Sequence, residues 1–142
     1  MTATTVHSFA HAAEQAQRWV NELGADLGWN ERRAYRLLRA VLHTLRDWLQ
    51  AGEMADLAAQ LPVLVRGIYF EGWGPSEAPP AERSKADFIA RIDAAFADDA
   101  IYDTEAAIAA VFRLLDRHVS SGEIDQVRAS MRKSLRRLWP EH

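Results

Sequence analysis

Apolar residues in this chain recur every three or four positions in nearly every segment. A helix completes a turn in about 3.6 residues, so that spacing returns each apolar side chain to one face. Strict alternation and runs of β-branched residues are absent, and the fold class is therefore all-α. The clearest segment follows Asn30, a good N-cap, and puts Ala34, Leu37, Leu38, Val41, Leu45, Trp48 and Leu49 on a single face. Before it a helix is expected over about Ser8 to Asp26, with Phe9, Ala12, Ala16, Trp19, Val20 and Leu23 turned inward and Gly24 and Gly28 at its fraying end. After it, Gly52 is expected to close the helix, a short helix follows from about Glu53 to Gln60, and Pro62 opens another that reaches Tyr69.

Residues Glu71 to Glu82, EGWGPSEAPPAE, hold three prolines and two glycines, which makes them a connector. Beyond it we expect helices over about Ala81 to Phe96 and Thr104 to Val119, the latter capped by Asp103 or Thr104. A turn at Gly122 and helical material to Trp139 complete the chain.

The two sides of the connector match without a gap at an offset of 70. Ala40 and Val41 fall on Ala110 and Val111, Leu45 on Leu115, Gly52-Glu53 on Gly122-Glu123, and Arg66 on Arg136. Leu42 meets Phe112, Leu49 meets Val119 and Tyr69 meets Trp139. With one residue of slippage Trp19 also meets Phe88 and Leu23 meets Ile92. Amphipathic helices always align their apolar faces at some offset, so the shared Gly-Glu turn decides the matter, a left-handed cap being the backbone reason for glycine there. The expected architecture is one domain, 1–142, made of two tandem related helical halves at about 8–70 and 81–139 around the connector 71–82.

A chain of 142 residues is long enough to bury one core without staples. The absence of cysteine removes disulfides, Cys-ligated zinc and thiol nucleophiles together. No apolar stretch approaches the roughly 20 residues that span a bilayer, and MTATTVHSFAHAAEQAQ lacks the basic and apolar regions of a secretory signal. A soluble, cytoplasmic protein with no membrane partner is expected. The net charge of −3 gives no overall bias toward polyanions, although Gln126 to His142 is locally cationic through Arg128, Arg132, Lys133, Arg136 and Arg137.

From Ala34 to Pro75 the sequence AYRLLRAVLHTLRDWLQAGEMADLAAQLPVLVRGIYFEGWGP resembles the bacterial family known as domain of unknown function 2267. VFRLLDRHVSSGEIDQV and SLRRLW resemble that family's second half. Gly74 stands where the family has Asp after Gly-Trp, and Met131-Arg132 replace the second Leu-Pro. The resemblance implies an orthogonal helical bundle, with globin-like topology as one option, and supplies neither catalytic residues nor a cofactor. A globin-like shape would not imply heme.

Three constellations remain. His7, His11 and Glu14 share one helix face at ligand-compatible spacing, but without the glutamate of an HExxH site; we read them as exposed polar residues and expect no metal. Arg32, Arg36, Arg39, His43 and Arg46 form a stripe opposite the apolar face of their helix. It could meet phosphates, but a solvated face paired with neighbouring carboxylates is favoured, and nucleic acid is not the expected partner. Tyr69, Phe70 and Trp73 enter the connector around Glu71, where they either line a pocket or clamp a loop onto the core, and Glu71 could be a buried acid. No nucleotide loop or catalytic triad is present. The expected function is a non-enzymatic binding or interaction module, its partner unidentified, with a protein as one option. A small-molecule or enzymatic pocket between the halves, near Tyr69, Trp73, His43 and Glu71, is the alternative, and weak electrostatic binding of nucleic acid comes third.

Overall fold

The computed structural model describes residues 6–74, 79–81, 83–131 and 133–140, with the side chains of Lys133 and Ser134 left aside. Parts of the connector, at 75–78 and 82, and Arg132 of the cationic tail lie outside the described residues. The described residues form α1 (His7–Leu27), α2 (Glu31–Trp48), α3 (Ala51–Gln60), α4 (Val63–Phe70), α5 (Lys85–Ala95), α6 (Thr104–His118), α7 (Ser121–Ser130) and the single turn α8 (Lys133–Arg136). They contain no strand, and none of their helices is long and apolar enough to cross a membrane.

Helix starts are set by side chains that satisfy the first unpaired amides. The Asn30 carbonyl oxygen accepts from Arg33 N at 2.9 Å, Asp103 accepts from Ala106 N at 3.1 Å, and Ser120 accepts from Glu123 N at 3.3 Å. α5 begins later than the periodicity suggests, because Ser84 and Asp87 form a reciprocal capping box. Gly24 and Gly28 do not fray α1. Gly28 is its left-handed cap, at φ 69°, and Trp29 N donates back to Gly24 O at 2.9 Å. Gly24 is buried within the helix, where a Cβ would lie 2.9 Å from Trp29 O, so glycine lets the returning chain approach.

The Gly-Glu positions correct the sequence reading. Gly52 and Gly122 lie in the first turns of α3 and α7 with no positive φ. The chain is instead broken by extended residues, Leu49 at φ −94°, ψ 150° and Val119 at φ −107°, ψ 146°, a conformation open to any L-residue. No left-handed cap is required there.

α2 runs through the centre, and α1, α4, α5 and α6 pack around it. Its inward face, Ala34, Leu37, Leu38, Val41, Leu42 and Leu45, is fully buried. Phe9, expected inside, is 67% exposed, because burial of α1 begins only at Ala12, one turn further on. An aromatic series runs from Trp48 of α2 to Phe88 of α5 at 5.1 Å, on to Phe112 of α6 at 5.9 Å, and to a stack with Trp139 at 4.2 Å. The Trp139 ring N–H donates to Asp116 at 2.8 Å, so this large apolar side chain is buried with its one donor satisfied.

Elements recur along the chain. α3 and α7 have equal length and start 70 positions apart, and their caps Leu61 (φ −86°, ψ 142°) and Met131 (φ −86°, ψ 153°) share a conformation. Arg66 donates to Leu61 O at 2.9 Å, and Arg136 to Met131 O at 3.0 Å. α1 packs on α6 and α5 on α2, while α2 meets α6 and α3 meets α7.

Candidate functional site

The polar stripe of α2 is largely engaged in holding the ends of other helices. Helix C-termini leave carbonyls unpaired and carry partial negative charge, so cationic donors are favoured there. At the end of α4, His43 Nε2 donates to Ile68 O at 2.7 Å, and Arg46 Nη1 reaches Tyr69 O at 3.0 Å and Glu71 O at 2.6 Å. Arg39 Nε donates to the Glu71 carboxylate at 3.2 Å. At the end of α5, Arg36 Nη2 donates to Ala95 O at 2.7 Å and pairs with Asp98. Arg33, absent from the sequence-derived stripe, bonds Asp99 Oδ2 and Ala100 O, each at 3.1 Å, with its guanidinium 4.0 Å above the Trp29 ring.

This arrangement corrects two expectations. Arg46 is not on a solvated face: it is buried, with Nε on Asp47 at 2.8 Å, because the end of α4 crosses over that part of α2. Glu71 is not a buried acid: its side chain is 47% exposed beside Arg39. Arg32 stays exposed near Tyr35.

Between α2 and α5 the surface forms a concavity of about 200 Å³, lined by Arg36, Arg39, Ala40, His43 and Thr44 from α2 and by Arg91 and Ala95 from α5. The Thr44 hydroxyl is turned back onto Ala40 O at 2.9 Å. Arg91 pairs with Asp47, which lies between Arg91 and Arg46. Burial pushes the Asp47 carboxyl up, but the hydrogen bonds and charges of Arg46 and Arg91 outweigh it and hold the group below the usual range. The Arg36 bond likewise depresses Asp98. Burial lowers the His43 ring, and the charges of Arg46 and Arg39 reinforce it against the Ile68 carbonyl and Glu71. His43 therefore favours the neutral form and, through Nε2, serves as a donor to α4. Periodicity gave no signal for Arg91, since only the packing of α5 on α2 brings it to Arg36 and Arg39.

The aromatic cluster lies apart from this concavity. Tyr69 is fully buried, donating to Met54 O at 3.0 Å, and burial pushes its hydroxyl up. Phe70 and Trp73 are half-buried, with ring centroids 5.8 Å apart and Trp73 N bonded to Phe70 O at 3.1 Å. These residues clamp the start of the connector onto the core. His7, His11 and Glu14 stand exposed on α1, and among the described residues no group of three or more His, Asp or Glu side chains could hold a metal. His118, aligned with Trp48, stacks on Trp19 at 4.7 Å and meets Glu22 at 2.9 Å, tying α6 to α1.

No curated protein matches the chain. The model of the family described as "Uncharacterized conserved protein (DUF2267)" matches residues 16–138, nearly the whole of the described core, and the chain belongs to that family.

Proposed function

We propose that this chain is a non-enzymatic binding module that takes up a compact oxyanion, a phosphate or carboxylate group, in the cleft between α2 and α5. One observation carries the reading: three arginines from two helices, Arg36 and Arg39 of α2 and Arg91 of α5, line one concavity. A planar guanidinium offers five N–H donors in a fork that matches an oxyanion. Arg39 uses Nε on Glu71 and Arg91 uses Nη2 on Asp47, which leaves donors on both forks for a ligand. At about 200 Å³ the space suits a small anionic group, below the roughly 300–1,000 Å³ of pockets for larger ligands. Binding is favoured over catalysis because the charged groups of the lining are arginines, which do not exchange protons, and its one imidazole, His43, is held neutral with Nε2 occupied by Ile68 O.

The test is calorimetric titration of the purified chain with inorganic phosphate at low ionic strength, with Arg91→Gln alongside. Saturable binding that weakens at least tenfold in Arg91→Gln is expected. Absence of binding by the folded wild type would end the reading.

The same proposal treats α1–α4 and α5–α8 as related halves, with the cleft crossing their interface. Supporting it are the recurring helix lengths and caps, the exchanged packing of α1 on α6 and α5 on α2, and a pair of ion pairs. Glu22 meets Arg117 at 3.1 Å, and at the equivalent positions Arg91 meets Asp47 with the charges reversed. An experimental structure whose halves fail to superpose would reject the relationship.

A further inference from the structure

We infer that Glu71 is a built-in competitor of the α2–α5 cleft, a carboxylate that occupies Arg39 until an external oxyanion displaces it; this rests on the anion-binding reading above. Each arginine of the cleft is held by an internal carboxylate, Arg36 by Asp98, Arg91 by Asp47 and Arg39 by Glu71. The three differ in how firmly they are held. Asp98 is gripped by both Nη atoms of Arg36, which also binds Ala95 O. Asp47 is shared between Arg91 and the buried Arg46 and is only 22% exposed. Among the described residues the Glu71 side chain makes a single polar contact, from Arg39 Nε to Oε1 at 3.2 Å, with both side chains about half exposed. Exposed single-contact pairs are the weakest class of ion pair, because water competes for both partners and two long side chains must be ordered.

The backbone beneath Glu71 does not share that freedom. Its carbonyl is held by Arg46 at 2.6 Å and its amide donates to Ile68 O at 3.2 Å. The Glu71 side chain can therefore rotate away from Arg39 while α4 and the clamped connector stay in place. An incoming oxyanion has one labile contact to break, and the charge it gains on Arg39 is the charge Glu71 gives up. Affinity is thereby set by a residue outside the concavity.

The test compares wild type, Glu71→Gln, Arg91→Gln and the control Glu14→Gln, which removes an equal charge from the exposed face of α1. Inorganic phosphate is titrated by calorimetry, and the ¹⁵Nε–¹H signal of Arg39 is followed by NMR. Glu71→Gln is expected to bind phosphate roughly two- to fivefold more tightly than wild type, the range an exposed pair provides. In wild type the Arg39 Nε signal should move during titration toward its position in phosphate-bound Glu71→Gln. Glu14→Gln should match wild type. Unchanged affinity in Glu71→Gln, with binding still lost in Arg91→Gln, overturns the competitor while leaving the cleft reading intact. Equal tightening in Glu14→Gln also overturns it, as an effect of net charge. No binding by any variant overturns both readings.

Discussion

Replacing Arg46 by methionine separates the work of its guanidinium from that of its stem. Methionine keeps most of the apolar volume, whereas the bonds to Tyr69 O, Glu71 O and Asp47 disappear. Hydrogen bonds from a charged donor contribute about 1.5–3 kcal/mol each, and removing one member of a buried charged cluster typically costs about 3–5 kcal/mol. Asp47 keeps Arg91 and some solvent, which places the loss near the lower end, about 3 kcal/mol. With an unfolding entropy of roughly 2.1 cal/mol/K per residue over 142 residues, each kcal/mol corresponds to about 3 °C, so the midpoint should fall by about 9 °C. Denaturant titration followed by tryptophan fluorescence, with scanning calorimetry, measures both quantities. Arg46→Lys should fall between the two, because one ammonium cannot reach two carbonyls and a carboxylate as the fork does. The variant should also flatten acid sensitivity. A depressed Asp47 contributes stability above the ordinary aspartate value of 3.8 that is lost as pH falls through its lower folded value, and that contribution shrinks without Arg46. A loss under about 1 kcal/mol for Arg46→Met would refute the reasoning, since the bonds would then be worth no more than those to water.

Two further predictions concern local packing and charge. Gly24→Ala should destabilise by about 1–3 kcal/mol, read by thermal unfolding, because the new methyl meets the Trp29 carbonyl at 2.9 Å; a neutral or stabilising result would show that the returning chain can give way. Glu123 is pushed above the usual glutamate range by burial, then by Asp56 and Glu53. A raised carboxyl contributes stability in its protonated form below the ordinary value of 4.5, and that contribution is lost as pH rises through the folded value, so Glu123→Gln should be more stable than wild type at pH 7 and equal to it near pH 4. Parallel melting curves across pH check this, and a variant less stable at pH 7 would reverse the assignment.

The candidate site was legible in part. Arg36, Arg39 and His43 were visible as a stripe because all lie on one helix, whose phase the apolar face fixes. Arg91 was not, because it joins them only through the packing of α5 on α2, 48 positions beyond His43 in the chain. Arg46 was expected on a solvated face and is buried, and the option of a buried acid at Glu71 does not hold. Periodicity tells which side of a helix is polar, but it does not tell whether another helix ends above that side. Here α4 ends over Arg46, burying the arginine against two carbonyls and leaving Glu71 at the rim.

The all-helical fold, the buried face of α2 and the cap Asn30 were determined by sequence alone, and the α6 cap was narrowed to Asp103 or Thr104, of which Asp103 serves, since helix phase and capping depend on residues within one or two turns. The recurrence of Gly-Glu was visible there too, yet its geometry was not: extended residues at Leu49 and Val119, rather than left-handed glycines, turn the chain. Tertiary structure decided which residues of an amphipathic face are covered. Phe9 has the right phase for burial but precedes the buried part of α1, which starts at Ala12, and Arg46 has the phase of a solvated cation but lies beneath the end of α4. The physical reason is one of range: a helix sets the direction of its own side chains within a turn or two, whereas burial and charge pairing depend on what arrives from elsewhere in the chain.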